Sequence, residues 1–227
     1  MIKRQIAGWY RAALNLLYDP QCPFNHLRHC EIPPADLRSV ICSNCPELKI
    51  EPIKKYTDKN LPVHSACKYR SQAREINHEF KFHKPALAVP IAELMLTAID
   101  LHRSFDLVIP VPGLISEVRP WIPSELLAEE IAFRLKCTYG KGLLVKSEQT
   151  HLYELGKESR QRTVNRAYRR LETNQLWKKL DQQPHKILLI DDLIASGITL
   201  DTCAKLIQMG NPAHQITCLT FTASFYS

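Results

Sequence analysis

From residue 66 onward the hydrophobic positions follow two alternating rhythms. Apolar runs without polar alternation occur in DLVIPVP (residues 106–112), in Ile187 to Ile190 and in QITCLTFTA near the C-terminus. Such runs suit strands buried on both faces of a parallel sheet. Between them the spacing becomes helical. Leu200, Cys203, Ala204 and Ile207 fall at i, i+3, i+4 and i+7 and predict a helix from about Thr199 to near Gly210. REINHEFKF, LAVPIAELMLTAIDLHRSF and SELLAEEIAFRLKC also read as helices. In the last of these, Ser124 is placed to cap the N-terminus, and Glu125 sits early, where the helix dipole favours an anion. GLLVK reads as a further strand, and residues 147–179 as polar loop and helix. Strands alternating with helices predict an α/β fold with a mostly parallel sheet flanked by helices.

Residues 20–64 break the rhythm. They hold four of the eight cysteines, several prolines and histidines, and little hydrophobic periodicity, which is the composition of a small module held by something other than a core. The chain therefore divides into an N-terminal helix and Cys-rich module, residues 1–65, and a periodic domain, residues 66–227. At the start, Ile6, Trp9, Tyr10, Ala13, Leu14 and Leu17 lie at helical spacing. They read as a helix packed on its own domain, the alternative being a helix on a membrane surface. Arg11 interrupts the apolar stretch and no small-residue cleavage site follows, so no secretory signal is expected. No run is long enough to span a bilayer. The expected compartment is the cytoplasm, where eight cysteines point to thiols or metal ligands rather than disulfides.

A net charge of +7 on 227 residues favours anionic partners such as nucleic acid, phosphorylated metabolites or a membrane surface. The chemistry that could meet such a partner lies in KILLIDDLIASGITL, residues 186–200. Asp191 and Asp192 are expected where the strand ends, in the crevice beyond the carboxyl edge of the sheet, where ligands of open parallel sheets bind. Two adjacent carboxylates persist ionised where a divalent cation or sugar hydroxyls satisfy them. The following Ala195, Ser196, Gly197, Ile198 and Thr199 offer successive backbone amides and a hydroxyl at a helix start, which suits a phosphate. Together they describe a site for a ribose 5-phosphate. The plainer alternative is a helix cap and a turn.

ILLIDDLIASGIT resembles the signature of type I phosphoribosyltransferases. The resemblance implies that Asp191 and Asp192 contact the ribose hydroxyls of phosphoribosyl pyrophosphate, and that the 195–199 loop holds its 5-phosphate. Ala195 stands where the family usually has Thr, and Ile198 where it has a small residue. FDLVIPVPGLISEVRPWIPSELLAEEIAFRL is similar to the corresponding region of ComF-type competence proteins. That likeness makes Val111, Pro112, Gly113 and Arg119 candidates for the pyrophosphate loop and its Mg²⁺, although RPWIPSE replaces the usual Arg-Gly-Phe-Asn-Gln. Lys81 with Phe82, Gln149, and Arg162 with Asn165 match the family further, the last three in a flap over residues 147–168 that closes over the pyrophosphate. The implied role is in natural transformation. The protein would handle incoming single-stranded DNA beside the inner-membrane uptake machinery, as a cytoplasmic protein or one peripheral to that membrane. The alternatives are a metabolic phosphoribosyltransferase acting on a base or amine, and a regulator that binds the phosphosugar without turnover.

Cys42 and Cys45 in CSNC form a knuckle whose spacing lets two thiolates reach one tetrahedral zinc. ComF-type proteins often carry a zinc-ribbon-like element here. The resemblance implies a second knuckle at Cys22, but Asn25 stands where its other cysteine would fall, so the fourth ligand of a structural zinc stays open between Cys30, the first choice, and His26 or His29. Cys137, Cys203 and Cys218 read as buried small hydrophobes, and His64 with Cys67 as coincidence. Lys157 to Lys179 is rich in cations, and on a helix Arg162, Arg166, Arg169 and Arg170 share a face. Arg160, Arg166, Arg169 and Arg170 are candidate DNA contacts, with Tyr168 and Trp177 as nearby stacking rings. A solvated helix face is the other reading.

Overall fold

The computed structural model describes residues 51–100, 104–147, 163–164 and 166–224. Strands β1 (Ile53–Tyr56) and β2 (Pro62–Lys68) precede helix α1 (Ser71–Phe82). A short 3₁₀ turn leads into α2 (Ala88–Leu96), then β3 (Leu107–Pro110), α3 (Pro123–Leu135) and β4 (Thr138–Tyr139). The rest runs β5 (Leu144–Lys146), β6 (Tyr168–Arg170), α4 (Leu176–Leu180), β7 (Lys186–Ile194), α5 (Ile198–Gln208) and β8 (Gln215–Ala223).

Six strands form one sheet in the order β1-β2-β8-β7-β3-β4. Only β1 runs antiparallel to its neighbour, so the fold is α/β with a mostly parallel sheet. The sheet begins before residue 66. β1 and the first half of β2 lie ahead of the expected start of the periodic domain, and Val63 pairs with Cys218 in the same ladder.

β7 lies between β8 and β3, and Ile187, Leu188, Leu189 and Ile190 have no exposed surface. Side chains alternate across a strand. Ile187 and Leu189 join one core with Leu107, Ile109, Ile216 and Cys218, closed by Leu200, Cys203 and Ile207 of α5. Leu188 and Ile190 take the opposite face, where α3 packs on β3 and β7. Helices therefore cover both faces, as the unbroken apolar run requires. Deleting the Leu188 side chain to Ala costs about 2–5 kcal/mol, since nothing can collapse into a strand gripped on both sides.

The β5–β6 hairpin forms a separate antiparallel pair. The helix expected across Tyr168 and its neighbours is a strand instead, so Arg169 and Arg170 point to opposite faces. Arg169 is exposed, whereas Arg170 is buried with its guanidinium 3.9 Å from the Trp177 ring centre, paired with Asp181 and 3.2 Å from Glu172. Arg170 is thus part of the core, which removes it from the candidate DNA contacts. Trp177 is also buried and donates its indole N–H to Leu143 at 3.2 Å, so it is no open stacking ring.

Pro123 opens α3, and the N-cap is Ile122 rather than Ser124. Proline is preorganised for the first helical position, and Ser124 instead donates its hydroxyl to the Val111 carbonyl at 2.5 Å. Cys203 and Cys218 are buried as expected; Cys137 is half-buried. Burial pushes the Cys67 thiol up to about 12 and raises Cys137, Cys203 and Cys218 as well, so these thiols stay protonated. His64 and Cys67 face apart, His64 meeting the Ala98 carbonyl at 3.0 Å and Cys67 the Phe221 carbonyl at 3.6 Å. Among the described residues no helix is long and apolar enough to cross a membrane.

His214 ties the N-terminal edge of the central strands. It is 3% exposed, and its Nδ1 accepts the His185 backbone N–H at 3.1 Å. Burial and the neighbouring His185 lower its pKa. A lowered imidazole pKa means that the unfolded chain takes the proton first as pH falls. This contribution to stability is complete above about pH 6.5 and is lost below it. Denaturant midpoints at pH 7.5 and 5.5 should therefore differ less in His214→Asn than in the parent chain.

Candidate functional site

β7 does not stop at the acids. It runs on through Asp191 and Asp192 to Ile194, paired with β8 throughout. The expectation that the strand ends at the carboxylates is corrected: Asp191 pairs with Thr220 and Leu193 with Thr222. Alternation then sends Asp192 to the face of Leu188 and Ile190, and Asp191 to the face of Ile187 and Leu189.

On the Asp192 face stands α1. Asn77 on α1 is buried and donates to the Thr222 hydroxyl at 3.4 Å, and Thr222 in turn donates to the Asp192 carbonyl at 3.2 Å. One helical turn further on, Lys81 shares the face of Asn77 and places its ammonium 2.7 Å from Asp192 Oδ2. Asp192 is 8% exposed, so an unpaired charge there would be costly. For Lys81, burial pulls the pKa down, but the attraction of Asp192 and then Asp191 outweighs it and the net shift is upward.

Asp191 is half-buried and accepts the Asp192 N–H at 2.9 Å. Burial, and next the Asp192 charge, push its carboxyl well above the usual carboxylate range, against the opposing pull of Lys81. Two carboxylates therefore share one ammonium, and the pair carries an unmet demand for a further cation or for hydroxyl donors. In the other direction the Asp191 charge reaches Lys146 of β5, Tyr168 of β6 and Cys203 of α5. Lys146 sits 5.4 Å from the Tyr168 ring centre, and burial followed by the charge of Arg119 lowers its pKa. The acids thus lie among Lys81, Lys146 and Arg119, a setting able to hold a polyanion through its own countercharges.

The loop after β7 exposes Ala195 and Ser196 and buries Gly197, Ile198 and, in part, Thr199. Gly197 has φ of 78°, a left-handed conformation that a side chain resists. A Cβ there would also sit 3.0 Å from Thr57 Cγ2. Thr57 belongs to the β1–β2 turn, where its hydroxyl donates to Asp201 and accepts the N–H groups of Lys59 and Leu61. Asp201 lies in the first turn of α5 and is 5% exposed. The turn thereby holds the start of α5 beneath the loop.

Val111 and Pro112 are buried at the end of β3, the Val111 N–H donating to Ile190 at 2.8 Å. Gly113 leaves room for Ile122, whose Cγ2 would lie 2.9 Å from an added Cβ. The loop then closes on itself through paired bonds between Ser116 and Arg119 of 2.9 and 3.0 Å, and the Arg119 guanidinium donates to the Leu114 carbonyl at 3.1 Å. The fold thus brings the acids, the 195–199 loop, Val111 and Arg119 to one edge of the sheet. Arg166 and Arg169 are exposed. Cys22, Cys30, Cys42, Cys45, Gln149, Arg160, Arg162 and Asn165 lie outside the described residues.

No family model and no curated protein matches the chain. The site therefore rests on its own residues. Reading the sequence for single motifs passed over the tie from Asn77 through Thr222 to Asp192, and over Thr57 with Asp201. Asn77 did leave a signal, a polar residue on the helix face shared by Ala73, Ile76 and Phe80.

Asp191→Asn should raise the melting temperature at pH 8 in the absence of divalent cations. It removes a carboxyl that resists ionisation while keeping the oxygen that accepts the Asp192 N–H. Each kcal/mol gained reads as about 2–4 °C. Gly197→Ala should destabilise the fold by about 1–3 kcal/mol in denaturant titrations, through the left-handed backbone and the Thr57 contact.

Proposed function

We propose that this edge of the sheet binds phosphoribosyl pyrophosphate with Mg²⁺, in a type I phosphoribosyltransferase-like domain of a ComF-type protein that handles single-stranded DNA during uptake. The carrying observation is the pair Asp191 and Asp192 in the C-terminal part of β7, followed by a loop whose left-handed Gly197 opens α5. In this reading the carboxylates accept the ribose hydroxyls. The amides of 195–199, with the Ser196 and Thr199 hydroxyls, face the 5-phosphate at the positive end of α5. Val111, Pro112, Gly113 and Arg119 face the pyrophosphate.

The donor set fits Mg²⁺, a hard ion that takes carboxylate oxygens and phosphate together. The two carboxylates repel each other, and a divalent ion held between them relieves that repulsion. When bound, the ion supplies charge neutralisation for the departing pyrophosphate. Lys81 orients Asp192 through their ion pair.

The residues ahead of β1 complete the reading as a zinc-ribbon-like module with Cys22, Cys30, Cys42 and Cys45 around a structural zinc. The protein works in the cytoplasm or at the inner face of the membrane, next to the uptake machinery. Exposed Arg166 and Arg169, with Arg160, are the DNA contacts in this account. Binding without turnover, in a regulatory role, is a second reading. It is favoured by buried Ile198 at a usually small position and by Arg119 being engaged with its own loop.

Calorimetric titration with phosphoribosyl pyrophosphate and Mg²⁺ should give saturable one-site binding. Asp191→Asn with Asp192→Asn should abolish it while leaving circular dichroism unchanged. Unchanged affinity in that variant would sink the assignment. DNA handling is read separately: affinity for an oligonucleotide should fall with rising salt and weaken further in Arg166→Ala/Arg169→Ala. Pyrophosphate release in the presence of nucleophiles separates transfer from regulation.

A further inference from the structure

The last turn of α1 carries a second cluster, apart from the acids of β7. His78, Glu79 and His83 each direct one ligand atom so that all three lie within 4.8 Å of one another. His78 and Glu79 belong to the helix, while His83 is its C-cap. At that residue the backbone leaves helical geometry, with φ −129° and ψ −38°, and its N–H still bonds the Glu79 carbonyl. This break swings His83 back beside His78, five positions earlier, which a continuing helix would not do.

The two imidazoles have centroids 5.8 Å apart and an interplanar angle of 49°. Two imidazoles on one tetrahedral zinc, with Zn–N bonds of about 2.0–2.1 Å, place their ring centres roughly 5 Å apart. Closing the remaining gap takes side-chain rotation alone, because both histidines are exposed and Glu79 is half-buried. Glu79 already meets Lys84, its Oε2 lying 3.2 Å from the ammonium. A carboxylate has two oxygens and can serve an ion as well as a lysine. Phe82 packs on His78 at 4.9 Å between centroids and limits the freedom of that ring.

We propose that His78, Glu79 and His83 form a binding site for a divalent transition metal of zinc's type, with two nitrogen ligands, one oxygen ligand and a coordination position open to solvent. Two imidazoles and one carboxylate are the donor set that suits such an ion, with exchangeable water completing the shell. Lys81 lies within the clipped turn and reaches Asp192, so the ion braces the end of the helix that supplies the acids with their ammonium. The site is independent of the ligand assigned to Asp191 and Asp192.

The test uses the full chain, stripped with a chelator and titrated with Zn²⁺ against a chromophoric competitor, beside His78→Ala/His83→Ala and Glu79→Gln. Zinc taken up elsewhere in the chain, including by cysteine thiolates, is common to all three proteins and cancels. The double variant should bind one equivalent fewer than the parent and lose the corresponding zinc-dependent rise in melting temperature. Glu79→Gln should bind at that site at least about tenfold more weakly, since even outer partners of a metal site are worth that much. Because both histidines are exposed, the double variant should keep the parent's circular dichroism. Equal stoichiometry and affinity in the parent and the double variant would overturn the proposal.

Discussion

The structure depends on one conflict at β7: a strand buried on both faces must carry two adjacent carboxylates. Ile187 to Ile190 have no contact with water, and the ladder with β8 carries on through Asp191 and Asp192 without a break. A sheet cannot bury acids at that depth without partners, because desolvation of an unpaired charge costs several kcal/mol. The chain answers on one face with an ion pair from Lys81, and Lys146 stands within reach of the charge on the other. The position of α1 follows from this. Its tether is polar, from Asn77 to Thr222 to the Asp192 carbonyl, and its charge reaches the acid one turn later. Because burial and then the neighbouring Asp192 charge outweigh the pull of Lys81, Asp191 is left with a raised affinity for its proton, a cost that a structural ion pair alone would have no reason to retain.

The loop beyond the acids is equally constrained from beneath. Gly197 takes a left-handed turn directly over Thr57, and the Thr57 hydroxyl grips Asp201 at the start of α5. The strands β1 and β2 thus have a task besides extending the sheet, since their turn is the floor of the loop. A module boundary drawn through residue 65 would cut between that floor and the domain it supports. Local hydrophobic rhythm cannot reveal this. β1 alternates half-buried and exposed positions in only four residues, too short a run to stand out from its surroundings.

Much of the architecture was legible because its elements are long or unbrokenly apolar. QITCLTFTA forms β8 over all nine residues, and the helical spacing of Leu200, Cys203, Ala204 and Ile207 is the buried face of α5. The acids and the glycine loop were legible because side-chain chemistry and glycine leave local traces. What was not legible depended on tertiary context. Arg170 reads as one cation among many until Trp177 and Asp181 enclose it. Ser124 reads as a cap until the Val111 carbonyl takes its hydroxyl and Pro123 takes the first helical position. The stretch around Tyr168 has helical charge spacing, yet pairing with β5 makes it a strand, because a hairpin partner and a buried ring outweigh weak helix preference. His78 and His83 were hidden differently: five residues apart, they meet only because the helix ends between them.

In the proposed function, the Asp191–Asp192 pair and the 195–199 loop act as a single ligand site. The most direct measurement is an amide chemical-shift map of the isotopically labelled chain as phosphoribosyl pyrophosphate and Mg²⁺ are added. The account predicts that the largest changes fall together on Asp191, Asp192 and Ala195 to Thr199, with a second set at Val111, Gly113 and Arg119. Changes confined to the basic residues near Arg166 and Arg169, or no changes in the loop at saturating ligand, would contradict it.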